Sequence, residues 1–275
     1  MYSLNCKGRL LSWKDPIVMG VLNLTPDSFY PGSRIRSEEM LISQAGKMVE
    51  DGAVILDLGG LSSRPGALEI SAEAETERVI PAIRLLSKQF PQAFISVDSY
   101  RYKVAEVALE MGASIINDIG AAADEAMPEL AAAWRVPYIC MHMQGNPRTM
   151  QQMTVYEDIL SDVLDYFIKR KEECFRLGVK DLIIDPGFGF AKTIDQNFRL
   201  LKQLKTLGML ELPVLVGLSR KATIYQTLNI KPEDALNGTT VMHTLALEQG
   251  AQILRVHDVK EAVETIRLWT SYANA

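Results

Sequence analysis

One local pattern recurs four times along the chain and restricts the folds that it can form. In each copy a helical stretch ends at a glycine, and a short apolar strand begins within a few residues. Glycine favours a helix C-terminus because it adopts the left-handed backbone conformation without strain. The repeated unit is typical of a parallel sheet that is covered by helices. The four copies are Gly52 before 54–57, Gly112 before 114–118, Gly178 before 182–185 and Gly250 before 253–257.

The remaining sequence supplies four further strands and the helices between them. Residues 74–89 place Val79, Ile83 and Leu86 at spacings of four and three, the period of a helix buried on one side. Eight strands alternating with about eight helices in 275 residues predict one closed (β/α)8 TIM barrel, with a doubly wound open sheet as the alternative. No linker interrupts the chain, so we assign residues 1–275 to a single domain. The further strands are predicted at 17–22, 94–97, 138–141 and 213–216.

Charge and composition argue against several classes of protein. The chain has 29 lysines and arginines, 34 aspartates and glutamates, a net charge of −5 and no basic run. Nucleic-acid binding therefore lacks its usual electrostatic signature. Residues 1–13 do not resemble a secretory signal, and no apolar run approaches the ~20 residues that span a bilayer. We expect a cytoplasmic protein that binds neither nucleic acid nor membrane, with its three cysteines reduced.

Polar residues collect where the predicted strands end. In α/β barrels, the face formed by the C-terminal ends of the strands carries the active site. Each residue could instead cap a helix or hold a loop, but helix caps rarely use histidine or arginine. We therefore predict an active site on this face. Its candidates are Asn23, Asp57, Asp98, Asn117, Asp118, His142, Asp185, Arg255 and His257.

Seven segments at the predicted strand ends together resemble the dihydropteroate synthase family. They occur in the family's order and at its usual spacings from the first strand to the last, and 141–145 resembles its fifth-strand segment. The resemblance implies a TIM-barrel transferase of folate synthesis, a cytoplasmic homodimer that sulfonamides target. Such enzymes condense 6-hydroxymethyl-7,8-dihydropterin diphosphate with p-aminobenzoate and release diphosphate. The segments are 23–29, 62–66, 98–99, 117–118, 185–190, 217–221 and 255–258.

The resemblance implies a site for the pterin. A reduced pterin is a flat ring whose amino, N–H and carbonyl groups can be read by carboxylates, amides and a cation. Asp185 and Lys221 would be catalytic together with Arg64, although Lys221 could also be an exposed surface lysine on the sequence alone. The implied pterin-binding residues are Asp98, Asn117, Met141, Asp185, Gly217 and Lys221.

The diphosphate needs cations and backbone donors. Arg255 and His257 leave the last strand where the next helix begins, and barrels often bind phosphate at such a helix N-terminus. By resemblance, Arg64 would neutralise the leaving group and Asn23 would ligate a Mg2+ ion that bridges the diphosphate oxygens. One protein oxygen beside phosphate oxygens and waters is normal for magnesium.

In the family two loops close over the reacting carbon, and here they would be 25–34 and 61–67. Departure of diphosphate leaves a cationic methylene conjugated with the ring, so a dissociative path is expected. The amine of p-aminobenzoate is neutral at pH 7, so catalysis would depend on positioning and on stabilising the departing charge. The residues implied to contact p-aminobenzoate are Phe29, Ser63, Pro65, Phe190 and Ser219.

Both loops depart from the family's pattern. Leu61 stands where the family usually has glutamate, and Ser63 replaces threonine but keeps the hydroxyl. Pro31 replaces an aspartate of the first loop and restricts its backbone. The sequence therefore leaves the role of Leu61 and the closed shape of the first loop open.

Three other functions stay open on the sequence alone. A methyltransferase that passes a methyl group from methyltetrahydrofolate to a corrinoid would share the pterin site, but it has no evident use for Arg255, His257 and Arg64. A paralogue that binds pterin without turnover would fit the altered first loop. An aldolase would use Lys221 as a Schiff base, which requires a desolvated lysine.

Overall fold

The computed structural model describes residues 1–24, 34–61, 70–120, 126–146, 149–150 and 152–275, and only the backbone of 34–37. The chain begins with a hairpin of two antiparallel strands, β1 (Tyr2–Cys6) and β2 (Arg9–Trp13). The sequence analysis did not predict this hairpin.

Eight parallel strands and nine α-helices follow within the described residues. The strands are β3 (Ile17–Asn23), β4 (Ile55–Gly59), β5 (Phe94–Asp98), β6 (Ile115–Asp118), β7 (Tyr138–Met141), β8 (Leu182–Asp185), β9 (Leu215–Val216) and β10 (Ile253–Val256). The helices are α1 (Arg34–Glu50), α2 (Ala72–Gln89), α3 (Tyr102–Glu110), α4 (Ala126–Trp134), α5 (Ile159–Arg176), α6 (Ile194–Lys202), α7 (Ala222–Tyr225), α8 (Leu236–Glu248) and α9 (Val259–Ala273). Two short 3-10 helices cover Leu204–Leu210 and Pro232–Asp234. None of the described helices is long and apolar enough to cross a membrane.

The eight parallel strands form one sheet in the order β8-β7-β6-β5-β4-β3-β10-β9. The two outermost strands of this order also meet, because Ile184 pairs with Val214 and its amide donates to the Pro213 carbonyl at 3.0 Å. The predicted (β/α)8 barrel is therefore confirmed, and the open sheet is wrong. The assignment of residues 1–275 to one domain stays a prediction.

The glycines of the sequence repeat adopt the backbone conformation that the pattern predicts. Their φ angles are +107° at Gly52, +121° at Gly112, +96° at Gly178 and +89° at Gly250. A residue with a side chain adopts this region only with strain. Each glycine thus ends a helix and turns the chain into the next strand of the barrel.

The interior of the barrel is apolar near the N-terminal ends of the strands. Side chains alternate along each strand between the interior and the surrounding helices. The hairpin residues Leu4, Leu11 and Trp13 pack against one interior layer and close this end. The polar side chains of the barrel interior therefore lie towards the opposite end. The layer consists of Met19, Ile55, Phe94, Ile115, Ile139, Ile183, Leu215 and Ile253.

Leu11 tests the contribution of the hairpin to stability. Leu11→Ala should lower the free energy of unfolding by about 2–5 kcal/mol, the usual effect of truncating a buried leucine. Its neighbour Leu10 is 71% exposed against 4% for Leu11, so Leu10→Ala should change this free energy by less than about 0.5 kcal/mol. Urea unfolding followed by circular dichroism measures both. Equal effects of the two substitutions would contradict a sealing role for β2.

Candidate active site

The interior positions nearer the C-terminal ends of the strands carry polar side chains. Residues two positions beyond the apolar layer face the interior again because the alternation has a period of two. Asp57 follows Ile55 in this way, and Arg255 follows Ile253. The barrel interior therefore changes from apolar to charged within two residues. Its polar residues are Asn23, Asp57, Ser96, Asp98, Asn117, Asp185 and Arg255.

Arg255 lies between two carboxylates inside the barrel. Its Nε donates to Asp57 Oδ2 at 2.7 Å, and its Nη2 donates to Asp98 Oδ2 at 2.5 Å. Asn117 Nδ2 donates to the same Asp57 oxygen at 3.1 Å. Side chains from β4, β5, β6 and β10 thus form one hydrogen-bonded group, which we call the arginine cluster.

Burial changes the protonation of the arginine cluster. It raises the pKa of Asp98 to about 7, against the opposing effect of Arg255. Burial alone would lower the pKa of Arg255, but the carboxylates of Asp57 and Asp98 outweigh it and raise that pKa above its ordinary value. The cluster therefore holds a permanent cation beside a carboxyl group that changes protonation near neutral pH.

Three buried oxygens of the arginine cluster have no hydrogen-bond partner among the described residues. They are the Oδ1 atoms of Asp57, Asp98 and Asn117. The Asn117 amide is oriented by its donation to Asp57, which leaves its oxygen as an acceptor. Buried acceptors without partners are unfavourable. The arrangement suits a ligand that presents several N–H donors.

Asp185 and Lys221 form a second polar group. Asp185 Oδ1 accepts from the Gly187 amide at 2.8 Å. Lys221 Nζ donates to the Phe188 carbonyl at 2.5 Å and lies 4.6 Å from the centre of the Phe190 ring. Burial raises the pKa of Asp185 and lowers that of Lys221 to about 8, while their mutual attraction opposes both shifts. Lys221 is therefore a partly buried lysine, held by the Phe188 carbonyl at this end of the barrel, rather than an exposed surface lysine.

Gly217 connects the two polar groups. A Cβ atom at this position would lie 3.6 Å from Lys221 Nζ and 3.9 Å from Arg255 Cβ, so both cations flank one backbone segment. Met141 is 1% exposed and lies against Gly187. The structure thus brings the predicted pterin-binding residues to one end of the barrel: Asp98, Asn117, Met141, Asp185, Gly217 and Lys221.

Asn23 and His257 lie further out, at the exposed mouth of the barrel, where the neighbouring strands β3 and β10 end. The His257 amide donates to Ser219 Oγ at 3.2 Å, and its Nδ1 lies 3.1 Å from the same oxygen. Arg220 donates to both oxygens of Asp258, from Nε at 2.8 Å and from Nη2 at 2.9 Å. These bonds fix the segment after β9 against the end of β10.

Two of the candidates from the strand ends face away from the interior. Asp118 Oδ2 accepts from the Tyr138 hydroxyl at 2.5 Å, within the core between strands and helices. His142 is 3% exposed, and its Nδ1 lies 3.0 Å from Lys192 Nζ. The expectation that Asp118 and His142 belong to the active site is wrong, because a step of one residue along a strand reverses the direction of the side chain.

Several predicted residues lie outside the described part of the chain, in segments 25–33 and 62–69. Their roles stay predictions. Of the expected p-aminobenzoate contacts, Phe190 lies beside Lys221 and Ser219 beside His257. The predicted residues in the two segments are Phe29, Ser63, Arg64 and Pro65.

Asp57 is a site residue to which the sequence analysis assigned no role. It binds both Arg255 and Asn117, so it orients two of the predicted residues. The signal in the sequence was its position, because Asp57 has the same strand parity as Ile55 and therefore faces the interior.

The comparisons with known proteins agree with this geometry. The family model described as pterin binding enzyme matches residues 19–257. The dihydropteroate synthase of Escherichia coli (strain K12) is 43% identical over 267 residues, which cover 96% of this chain and 94% of that protein.

Two solved structures are similar along nearly their whole length. Xanthomonas albilineans dihydropteroate synthase with 4-aminobenzoic acid gives a TM-score of 0.91 at 37% identity and covers 99% of this chain and 98% of that one. Yersinia pestis dihydropteroate synthase in a sulfonamide drug complex gives 0.92 at 39% identity and covers 100% of both chains. The chain therefore belongs to the pterin-binding enzyme family and, within it, to the dihydropteroate synthases, as its strand-end segments predict.

Proposed function

We propose that this chain condenses 6-hydroxymethyl-7,8-dihydropterin diphosphate with p-aminobenzoate to give 7,8-dihydropteroate and diphosphate, a step of folate synthesis. One observation carries the proposal: unpartnered carboxylate and amide oxygens lie at the same barrel end as a fixed lysine. Such a set complements the donor and acceptor groups of a pterin edge.

The pterin ring would bind between the two polar groups. Oδ1 of Asp98 and Oδ1 of Asn117 would accept from its amino and N–H groups. Asp185 would accept a further N–H, and Lys221 would donate to the ring carbonyl and nitrogen. Charge-assisted hydrogen bonds of this kind contribute about 1.5–3 kcal/mol each. Met141 and Gly217 would contact the ring faces.

The diphosphate would extend from the ring towards the mouth. Arg255 uses Nε and Nη2 for Asp57 and Asp98, which leaves Nη1 to donate to a phosphate oxygen. His257 lies at the mouth beside the start of α9, whose backbone amides favour an anion. Arg64 would add the second cation.

Asn23 would hold a magnesium ion at this position. Asn23 is exposed at the end of β3, and β3 is hydrogen-bonded to β10, the strand before His257. A single amide oxygen fits an ion whose other ligands are phosphate oxygens and waters. Bound Mg2+ would neutralise charge on the departing diphosphate.

The amine would attack after the carbon–oxygen bond to diphosphate has largely broken. Its nitrogen lone pair forms the new carbon–nitrogen bond, and the proton of the resulting ammonium passes to the released diphosphate or to water. Lys221 and Asp185 would hold the ring, and Arg64 would stabilise the leaving charge, so catalysis comes from electrostatics and positioning. The amine would be held by Phe29, Ser63, Pro65, Phe190 and Ser219.

The same proposal includes a cytoplasmic homodimer that sulfonamides inhibit at the p-aminobenzoate site. Two related structures support the inhibition, because one holds a sulfonamide and the other 4-aminobenzoic acid. Large exposed apolar side chains on α8 and α9 support a partner surface: Val241, Leu245, Leu268 and Tyr272.

Turnover tests the proposed reaction. Pyrophosphate release from the pterin diphosphate with Mg2+ and no cobalamin should require p-aminobenzoate, and a sulfonamide should compete with that amine. Asp185→Asn should raise the KM for the pterin diphosphate by about 10- to 100-fold, because it removes a charged acceptor. Asp195→Asn is the control, since its carboxylate is 69% exposed on α6. Equal rates of pyrophosphate release with and without p-aminobenzoate would contradict the proposal.

The raised pKa of Asp98 predicts a pH dependence of pterin binding. Its pKa of about 7 means that the acceptor is ionised above neutrality and protonated below it. Affinity for 6-hydroxymethyl-7,8-dihydropterin should therefore fall as the pH drops through 7, approaching about tenfold per pH unit. Asp98→Asn should bind more weakly above pH 7 and lose this slope. Calorimetry between about pH 5.5 and 8.5 measures both proteins, and an unchanged slope would assign the titration to another group.

The proposed role of Asn23 as a Mg2+ ligand predicts a specific defect in metal use. Asn23→Ala should raise the Mg2+ concentration for half-maximal pyrophosphate release by about tenfold, because one oxygen ligand is lost. Affinity for 6-hydroxymethyl-7,8-dihydropterin, which lacks the diphosphate, should not change. Asn274→Ala, at the exposed end of α9, is the control. An unaltered Mg2+ requirement would show that Asn23 is not a ligand.

A further inference from the structure

Lys192 is a buried lysine that the proposed chemistry does not use. Its side chain ends under the segment that follows β8, and the residue is 8% exposed. The Nζ atom has four acceptors: His142 Nδ1 (3.0 Å), the Gly187 carbonyl (3.1 Å), the Phe190 carbonyl (3.1 Å) and the His142 carbonyl (3.4 Å). A lysine ammonium has three N–H donors, so these acceptors satisfy it completely.

The histidine in this contact is an acceptor. Burial and the neighbouring Lys192 lower the pKa of His142 to about 2, so its ring is neutral. When Lys192 is charged, Nδ1 can only accept from its ammonium, and the ring proton then resides on Nε2. Burial lowers the pKa of Lys192 to about 7, against the attraction of Asp185. Its charged form is unfavourable in this place without such partners. Lys192 and its four acceptors therefore form a self-contained polar unit behind the pterin site.

The segment that Lys192 holds also positions the two catalytic candidates. The Gly187 amide donates to Asp185 Oδ1 at 2.8 Å, and the Phe188 carbonyl accepts from Lys221 Nζ at 2.5 Å. Gly187 has a φ of +68°, and a Cβ atom there would lie 2.0 Å from the His142 carbonyl oxygen. The segment is therefore packed directly on β7, with Lys192 on one side of it and the substrate groups on the other.

We propose that Lys192 is a positioning residue for pterin recognition. Its Nζ atom donates hydrogen bonds to the carbonyls of Gly187 and Phe190. These bonds fix the backbone that orients Asp185 and Lys221. Lys192 contacts no substrate. The inference rests on the proposed function, because the ligand in question is the pterin ring.

A double-mutant cycle tests this role. Lys192→Met keeps the aliphatic length but removes charge and donors, and it should raise the Kd for 6-hydroxymethyl-7,8-dihydropterin about tenfold. Combined with Asp185→Asn, it should add less than about threefold, since the part of its effect that passes through Asp185 is already lost and only the part that passes through Lys221 remains. The KM for the pterin diphosphate should rise in parallel while kcat changes by less than about threefold, because no group at the reacting carbon is altered.

Lys192→Gln separates donors from charge. Its amide keeps N–H donors for the carbonyls, so its Kd should lie between those of the parent and Lys192→Met. If Lys192→Met does not fold, Lys192→Gln takes its place in the double-mutant cycle with Asp185→Asn. Lys171→Met is the matched control, because Lys171 Nζ donates to the Leu210 carbonyl at 2.7 Å in a contact between α5 and a 3-10 helix.

The outcomes distinguish the inference from the function on which it rests. Parent-like pterin binding by both Lys192 variants, or effects that multiply fully with Asp185→Asn, would overturn the positioning role. The same follows if Lys171→Met weakens binding equally. Failure of the parent chain to release pyrophosphate would instead overturn the proposed reaction, whatever the cycle shows.

Discussion

The ion pairs of Arg255 with Asp57 and Asp98 are the interaction on which the interior of this barrel depends. The apolar layer closes one end, so the charged residues above it are largely removed from water. Removing one partner from such a buried group typically destabilises a protein by about 3–5 kcal/mol, because a charge is left unpaired. Arg255 is therefore a structural residue as well as a candidate diphosphate ligand, and its substitution would alter the pterin side of the site too.

Much of the fold was predictable because it follows from two repeated sequence patterns, the glycines at helix ends and the short apolar strands. The glycine repeat gave the helix ends, and the short apolar runs gave all eight barrel strands within a few residues. The alternation of side chains along a strand explains the errors. Asp118 and His142 were grouped with the site by their position at strand ends, but each lies one residue away from an inward-facing neighbour, Asn117 or Met141.

Other features depend on contacts between distant parts of the chain, which neither pattern encodes. The hairpin became recognisable only through the barrel layer that it covers. Lys192 reads as an ordinary lysine after a glycine-rich segment, and its burial follows from the packing of that segment on β7. The role of Asp57 likewise depends on Arg255, which is 198 residues later in the chain.

The bonds of Arg255 and Lys221 also bear on the alternative functions. Arg255 does not by itself distinguish a synthase from a corrinoid methyltransferase. Its bonds to Asp57 and Asp98 would be useful in any pterin site, whether or not a diphosphate binds. A Schiff base at Lys221 would require breaking its bond to the Phe188 carbonyl. Two features therefore favour the synthase over these alternatives. One is the exposed mouth with Asn23 and His257, and the other is the similarity to dihydropteroate synthases along almost the entire chain.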